Sequence, residues 1–241
     1  MPSKIRLYFP KELKANLLSS LSTEQSHYIK NVMRLKPGDT ISLFNSVNGE
    51  WSAKITNHNK ENTEFKVEKL IKHKKLENDL WLAFSPIKKG PLDMMIQKAT
   101  ELGIQKFIPI LSERTVVREI NTERLKKIIV EASEQSNRIS IPEIKNLEPL
   151  KNFLNKFSNE GSLIFCDINS DKNDLKNILS KKKQGPICIL IGPEGDFSEK
   201  ERQLIIEKKE IFSLSLANNL LRAETAAIAA VTIVNYHLNF N

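Results

Sequence analysis

The chain has 241 residues, 40% hydrophobic and 27% charged, enough for one large domain or two ordinary ones and a composition unlike that of a disordered or membrane-embedded protein. Its formal charge of +8 is unevenly spread: residues 1–75 carry 14 Lys and Arg against 7 Asp and Glu, whereas residues 76–241 carry 23 against 22. The split predicts a basic first module that holds a polyanion and a second module with a different task, with a merely lysine-rich protein as the competing reading.

In chain order, residues 4–9 alternate as a short strand before Pro10. Thr23-Glu24-Gln25 opens a helix carrying His27, Tyr28, Lys30, Asn31 and Arg34, and the Pro37-Gly38-Asp39 turn closes it. Residues 40–45, 50–57 and 63–70 read as three strands separated by polar turns. The result is a small, mostly β module of about seventy residues. Its Arg6, Tyr8, Lys30, Arg34, Lys54 and Lys66 are of the types that contact phosphates and stack on bases.

The polar stretch 72–78 is the expected boundary between domains at 1–74 and 75–241. Beyond it, strands alternate with helices, the signature of a parallel sheet covered on both faces. Strands are expected at 79–85, 106–111, 162–166, 187–191 and 211–216. Helices are expected at 91–102, 121–137, 171–179, 199–209 and 221–236. The first of these helices has Leu92, Met95, Ile96, Ala99 and Leu102 on one face and Gly103 as its stop. In the last, Ala226, Ala227, Ala229 and Ala230 permit close approach by the sheet or by a second copy of the chain.

The most informative stretch starts at Ile187. Its apolar run to Ile191 ends abruptly in Gly192-Pro193-Glu194-Gly195, as a buried parallel strand empties into a tight loop at its carboxyl end. Ligands bind at that end of α/β sheets. Ser198 caps the following helix, with Glu201 at the third helical position. This loop, together with residues 214–225, is the expected active site. No Gly-x-Gly-x-x-Gly or Gly-x-x-x-x-Gly-Lys-Ser/Thr phosphate cradle is present. Cys166 and Cys188 lie in apolar runs without Cys-x-x-Cys spacing, and the four histidines are scattered, so reduced buried thiols and no metal site are expected. Nothing after Met1-Pro2-Ser3-Lys4 resembles a signal core, and the apolar run 226–234 is about half a membrane span, so a cytoplasmic protein is expected.

The motif I-G-P-E-G-x-F-S-x-x-E from Ile191, followed by L-x-L-x-x-x-L-L-R-x-E-T-A from Leu214, resembles the ribosomal RNA small-subunit methyltransferase E family of the SPOUT class. Four upstream blocks match that family in its order: H-Y-I-K-N-V-M-R-L-K-P-G-D, K-K-G-x-x-D-x-M-I-Q-K-A-T-E-L-G, S-E-R-T-V-V and E-A-S-E-Q-S-N-R. The resemblance implies an α/β protein with an N-terminal PUA-like RNA-binding β-barrel and a C-terminal SPOUT α/β domain containing a trefoil knot. It further implies S-adenosyl-L-methionine held in the knot and a homodimer formed through the SPOUT domain. The implied reaction is methylation at N3 of a uridine in the decoding region of 16S rRNA, within the small ribosomal subunit. Two departures bear on loop shape and contacts: Asp196 stands where the family usually has a second glycine, and Ala217-Asn218-Asn219 where it has Gly-x-Arg.

This reading assigns roles to residues. Arg222 is expected to stabilise negative charge on the uracil oxygens, and Glu194 and Glu224 to accept the N3 proton or to orient Arg222 through a bidentate pair. Ile191, Gly192, Pro193, Glu194, Gly195, Leu214, Leu216, Asn219, Leu220, Leu221 and Thr225 are expected to hold the cofactor, largely through main-chain groups and apolar walls. Arg6, Lys30 and Arg34 in the first module, and Lys88, Lys89, Arg114 and Arg138 in the second, are expected at RNA phosphates. The alternatives are methylation of another rRNA or tRNA nucleotide and a non-catalytic RNA-binding assembly factor.

Overall fold

The computed structural model describes residues 5–74, 76–157 and 159–240; Lys4 and Lys75, where the expected first strand and second domain begin, lie outside them. The chain forms two compact units, Met1–Leu76 with Ser133–Ile141, and Glu77–Ala132 with Pro142–Asn241.

The first unit contains β1 (Arg6–Tyr8), β2 (Leu18–Ser20), α1 (Thr23–His27), β3 (Thr40–Asn45), β4 (Gly49–His58) and β5 (Thr63–Lys72). Its sheet runs β1-β3-β4-β5-β2, with β1 parallel to β3 and the other pairs antiparallel. Period-two alternation sends Ile41, Leu43, Ala53, Ile55, Phe65 and Val67 inward, where they meet Leu13, Leu21 and Ile29. Gly49 turns β3 into β4 at φ +84°, and a Cβ there would stand 2.4 Å from the Lys72 carbonyl oxygen, so only glycine fits. The expected single helix is two pieces: Ser22 caps α1 in a reciprocal box with Gln25, and the chain then widens into a π-turn over Tyr28–Val32.

Arg6 gathers the returning segment Ser133–Ile141 into this unit. Its Nε donates to Glu50 Oε2 at 3.0 Å and its Nη1 to the Ser133 carbonyl at 2.8 Å, while Nη2 reaches the Arg138 carbonyl. The guanidinium also lies 3.7 Å from the centre of the Phe44 ring. Only 8% of Arg6 is exposed. The residue expected at an RNA phosphate is therefore an internal clamp, because α3 ends against it and offers its unsatisfied carbonyls.

The second unit contains β6 (Leu80–Phe84), α2 (Lys89–Glu101), β7 (Lys106–Leu111), α3 (Thr122–Gln135), β8 (Glu143–Ile144), β9 (Glu148–Pro149), α4 (Leu150–Phe157), β10 (Ser162–Cys166), α5 (Leu175–Ser180), β11 (Ile187–Ile191), α6 (Glu199–Ile206), β12 (Ile211–Leu214) and α7 (Ala223–Phe240). The last turn of α3 belongs to the first unit. Every pairing in the β12-β10-β11-β6-β7-β8 order is parallel, and β9 adds to β7. β6 and β11 are buried along their whole length, which explains their uninterrupted apolar sequence.

Trp81, Ala83, Ile108, Phe165, Cys188 and Leu190 face one layer, where α4 supplies Leu150, Phe153, Leu154 and Phe157. That i, i+3, i+4, i+7 spacing is a helical face, and sequence reading left it unassigned. The alternate residues Leu82 and Ile189 face the other layer, where α7 packs on β11 and α2 on α7. Among the described residues no helix is long and apolar enough to cross a membrane.

Candidate active site

Three parallel strands, β10, β11 and β12, end side by side, and the segments leaving their carboxyl ends build the site. After β11, Asp196 takes the left-handed conformation at φ +57°. Its amide donates to the Pro193 carbonyl at 3.0 Å, and its Oδ1 accepts from the Phe197 amide at 2.8 Å. Aspartate tolerates this region better than most residues because its short side chain satisfies a local amide. The loop therefore keeps a glycine-like turn where the resemblance would place glycine.

Ser198 and Glu201 form the expected capping box of α6. Glu201 does more: 9% exposed, it accepts from the Glu113 amide at 2.8 Å with Oε1 and from the Ser198 amide at 3.1 Å with Oε2. The loop after β7 is thus tied to the loop after β11. Arg114 makes a second tie, its Nη1 donating to the Gly195 carbonyl at 3.0 Å. Beneath them, Ser112 Oγ lies 2.7 Å from Thr115 Oγ1 and 3.2 Å from Ser85 Oγ, and the Ser85 amide donates to Ile191 O at 3.1 Å. These buried hydroxyls hydrogen-bond one another at the strand ends.

The end of β10 is equally constrained. Asp167, 2% exposed, accepts from Arg202 Nη2 at 2.9 Å and Nε at 3.3 Å, and from the Asn169 amide at 3.0 Å. The hydrogen bond to Asp167 holds the Arg202 guanidinium above its ordinary pKa.

Two cavities open here. The smaller, about 260 Å³, lies between the 166–168 segment and residues 214–221. The larger, about 800 Å³, is lined by Pro91, Arg114, residues 191–196 and residues 220–224. They share a wall of Cys166, Ile168, Leu220, Leu221 and Ala226. Of the expected cofactor residues, Leu214, Leu216, Asn219, Leu220 and Leu221 line the smaller cavity. Ile191, Gly192, Pro193, Glu194 and Gly195 line the larger one, with Arg222 and Glu224. Thr225 lines neither.

Arg222 is exposed and forms an ion pair with neither Glu194 nor Glu224, so no bidentate pair orients it. Glu224, in the first turn of α7, is 7% exposed and has no hydrogen-bond or ion-pair partner among the described residues. Lys88 and Lys89 are exposed at the start of α2, whose Pro91 reaches the larger cavity.

The remaining basic residues lie elsewhere. Arg138 is 8% exposed, donates from Nη2 to Ser140 Oγ at 2.8 Å and belongs to the first unit, which corrects its expected place at a phosphate on the second. Lys30 donates to the Asn59 carbonyl, and Arg34 is exposed at φ +54°. Sequence reasoning missed the Cys166–Asn169 wall, although the rule that singled out the end of β11 applies equally to its neighbour β10. Glu201 and Arg202 gave no signal beyond a helix cap and a surface cation.

Comparison with known proteins matches these features. Residues 74–235 match the model of an RNA methyltransferase domain, and residues 21–68 that of an RNA methyltransferase PUA domain. The two units and the strand-end site thus define an RNA methyltransferase. The chain is 36% identical to the ribosomal RNA small subunit methyltransferase E of Rickettsia conorii, across 95% of this chain and 94% of that one. To the Bacillus subtilis protein of the same name it is 28% identical, covering 90% and 89%. It belongs to the ribosomal RNA small subunit methyltransferase E family.

Two solved structures are similar. A Legionella pneumophila protein in complex with S-adenosylmethionine superposes with a TM-score of 0.86 at 28% identity, covering 98% of both chains. The Neisseria gonorrhoeae ribosomal RNA small subunit methyltransferase E bound to S-adenosylmethionine superposes at 0.84 and 28%, covering 98% and 99%.

Proposed function

We propose that this chain methylates N3 of a uridine in the decoding region of 16S rRNA, using S-adenosyl-L-methionine, as a cytoplasmic homodimer joined through its second unit. The observation that carries the reading is the pair of cavities meeting at the Cys166–Ile168 and Leu220–Leu221 wall, one mainly apolar and one holding Arg222, Glu194 and Glu224. The residues fit the cofactor: leucines 214, 216 and 221 offer apolar walls, strand-end loops offer main-chain donors and acceptors, and Glu224 offers an unpartnered carboxylate on the cavity wall to a cationic ligand. When bound, S-adenosylmethionine supplies an electrophilic methyl group.

The chain's own residues prepare the base. Arg222 places its cation at a uracil oxygen and stabilises the anion left at N3, each unit of pKa lowering being worth about 1.4 kcal/mol. Glu224, or the more exposed Glu194, takes the N3 proton. Arg114 keeps Gly195, and with it the loop carrying Glu194, in place.

In this reading the domains divide at 74/75, the first unit closes as a PUA-like barrel, and the second carries a SPOUT trefoil knot around residues 192–222. Support comes from the family models and from the parallel strand order. The test is incubation with labelled methyl donor and small subunits from cells lacking the modification, followed by mass mapping. One methyl on a decoding-region uridine is the expected result. Methyl on another base, or on tRNA, overturns the assignment.

A further inference from the structure

One buried charge joins the two segments that wall the cavities. Asp167, the first residue past β10, has a side chain only 1% exposed, and both its oxygens face Arg202 of α6, Oδ2 at 2.9 Å from Nη2 and Oδ1 at 3.3 Å from Nε. Its Oδ1 also accepts from the Asn169 amide at 3.0 Å, and its carbonyl from the Ser170 amide at 3.2 Å, so the same residue closes the turn that follows. That turn leaves Cys166 half-buried and Ile168 58% exposed on the wall the two cavities share. Arg202 stands on the helix into which the glycine loop 192–196 runs, its amide bonded to the Ser198 carbonyl at 2.8 Å. The other charges facing its guanidinium are Glu199, 3.9 Å from Nη1, and Asp196 of the glycine loop. The Phe165 and Phe197 rings of the same two segments meet edge-on with centroids 5.6 Å apart, so the segments touch even without the pair.

We propose that Asp167 and Arg202 are a positioning pair, which fixes the Cys166–Ile168 wall relative to the glycine loop and thereby sets the affinity for the methyl donor. The inference rests on the reading of these cavities as the donor site, but not on the base or atom that is methylated. A buried ion pair is a weak stabiliser, because desolvation consumes most of the Coulomb gain and apolar residues of similar size hold a fold as well. What a carboxylate–guanidinium pair adds is geometry, two parallel bonds that fix direction as well as distance. The Phe165–Phe197 contact holds the segments together without that direction. Ile168 needs the hold, since an exposed isoleucine gains by turning towards any nearby apolar surface. Pinned by the turn and the pair, it stays on the cavity wall until a ligand covers it, and donor binding is spared the ordering of that wall.

The test measures three things on the full chain: S-adenosylmethionine affinity by calorimetry far below the melting temperature, the melting temperature itself, and binding of small-subunit rRNA by fluorescence anisotropy. Arg202→Met leaves Asp167 buried without its cation, and is expected to melt lower and to bind S-adenosylmethionine about tenfold more weakly, as follows if the wall is in place about a tenth of the time. Arg202→Lys keeps the charge but not the two parallel bonds and is expected to fall between. Asp167→Asn/Arg202→Met removes both charges while Asn keeps an acceptor for the Asn169 amide. That double variant is expected to melt above Arg202→Met, yet to bind the donor as weakly, with a raised KM for S-adenosylmethionine and kcat near wild type. Binding of rRNA stays at the wild-type value throughout, and Glu199→Ala, which removes only the long exposed contact, matches wild type in every measurement.

Donor affinity that recovers in the double variant along with the melting temperature overturns the proposal, because the pair would then serve the fold alone. Equal losses of donor and rRNA binding also overturn it, since they would mark general loosening of the chain. The two readings fail separately: a wild-type chain that does not bind S-adenosylmethionine sinks the donor site and the pair with it, whereas normal wild-type binding with unaffected variants sinks the pair alone.

Discussion

Arg222 and Glu224 are two residues apart in sequence and opposite in environment. The exposed guanidinium faces the larger cavity without a protein counter-ion among the described residues, and the carboxylate, on a residue only 7% exposed, meets the same cavity without a protein donor. Arg222→Ala is expected to lower kcat by about 10²–10³, the usual cost of removing one preorganised charge-stabilising donor, with S-adenosylmethionine affinity retained by calorimetry. Wild-type turnover in that variant would remove Arg222 from the mechanism. Both cysteines point to alkaline sensitivity. Desolvation pushes the thiol of the half-buried Cys166 up to about 12, and full burial raises Cys188 as well. The folded protein therefore holds these protons to higher pH than the unfolded chain does. That contribution to stability is complete below the ordinary thiol value of 9.0 and is lost as pH climbs towards about 12. Denaturant midpoints measured across that window should fall, and fall less in a Cys166→Ala variant.

At the level of elements, the cap of α6 is also a brace. The Ser198 and Glu201 box was legible because a capping box is a local pattern. The bond from the Glu113 amide to Glu201 was not, because 88 residues separate the partners. Glu201→Ala should cost about 2 kcal/mol, roughly a cap plus a stranded amide, read as a lower melting temperature and weaker cofactor binding. At Asp196 the left-handed backbone decides the outcome. Asp196→Gly is expected to fold and turn over as wild type, whereas Asp196→Val should cost about 1–2 kcal/mol, measured by denaturant melts. The short elements show the same limit. β8, β9 and β2 have two or three residues each, too few for periodicity to register, and exist because a longer strand offers them an edge.

Across the whole molecule, the non-contiguous Ser133–Ile141 segment depends on Arg6. Arg6→Met should cost about 3 kcal/mol, since Glu50 and the carbonyls of Ser133 and Arg138 lose their donor while buried, with loss of the first unit's cooperative unfolding as the readout. If Arg6 instead served RNA, the variant would melt normally and bind RNA with a shallower salt slope. Sequence by itself determined the alternation of a basic β-rich unit with a parallel α/β unit, the strand-to-glycine loop at Ile191, the helix caps and the family, because these rest on periodicity, composition and contiguous motifs. Tertiary structure alone decided that Arg6 and Arg138 are interior, that Cys166–Asn169 walls the site, that Arg114 and Glu201 brace the glycine loop, and that Arg202 pairs with Asp167. Each of those facts depends on which strands lie side by side. Hydrophobic burial sets that order over distances of dozens of residues, and no local pattern in the chain records it.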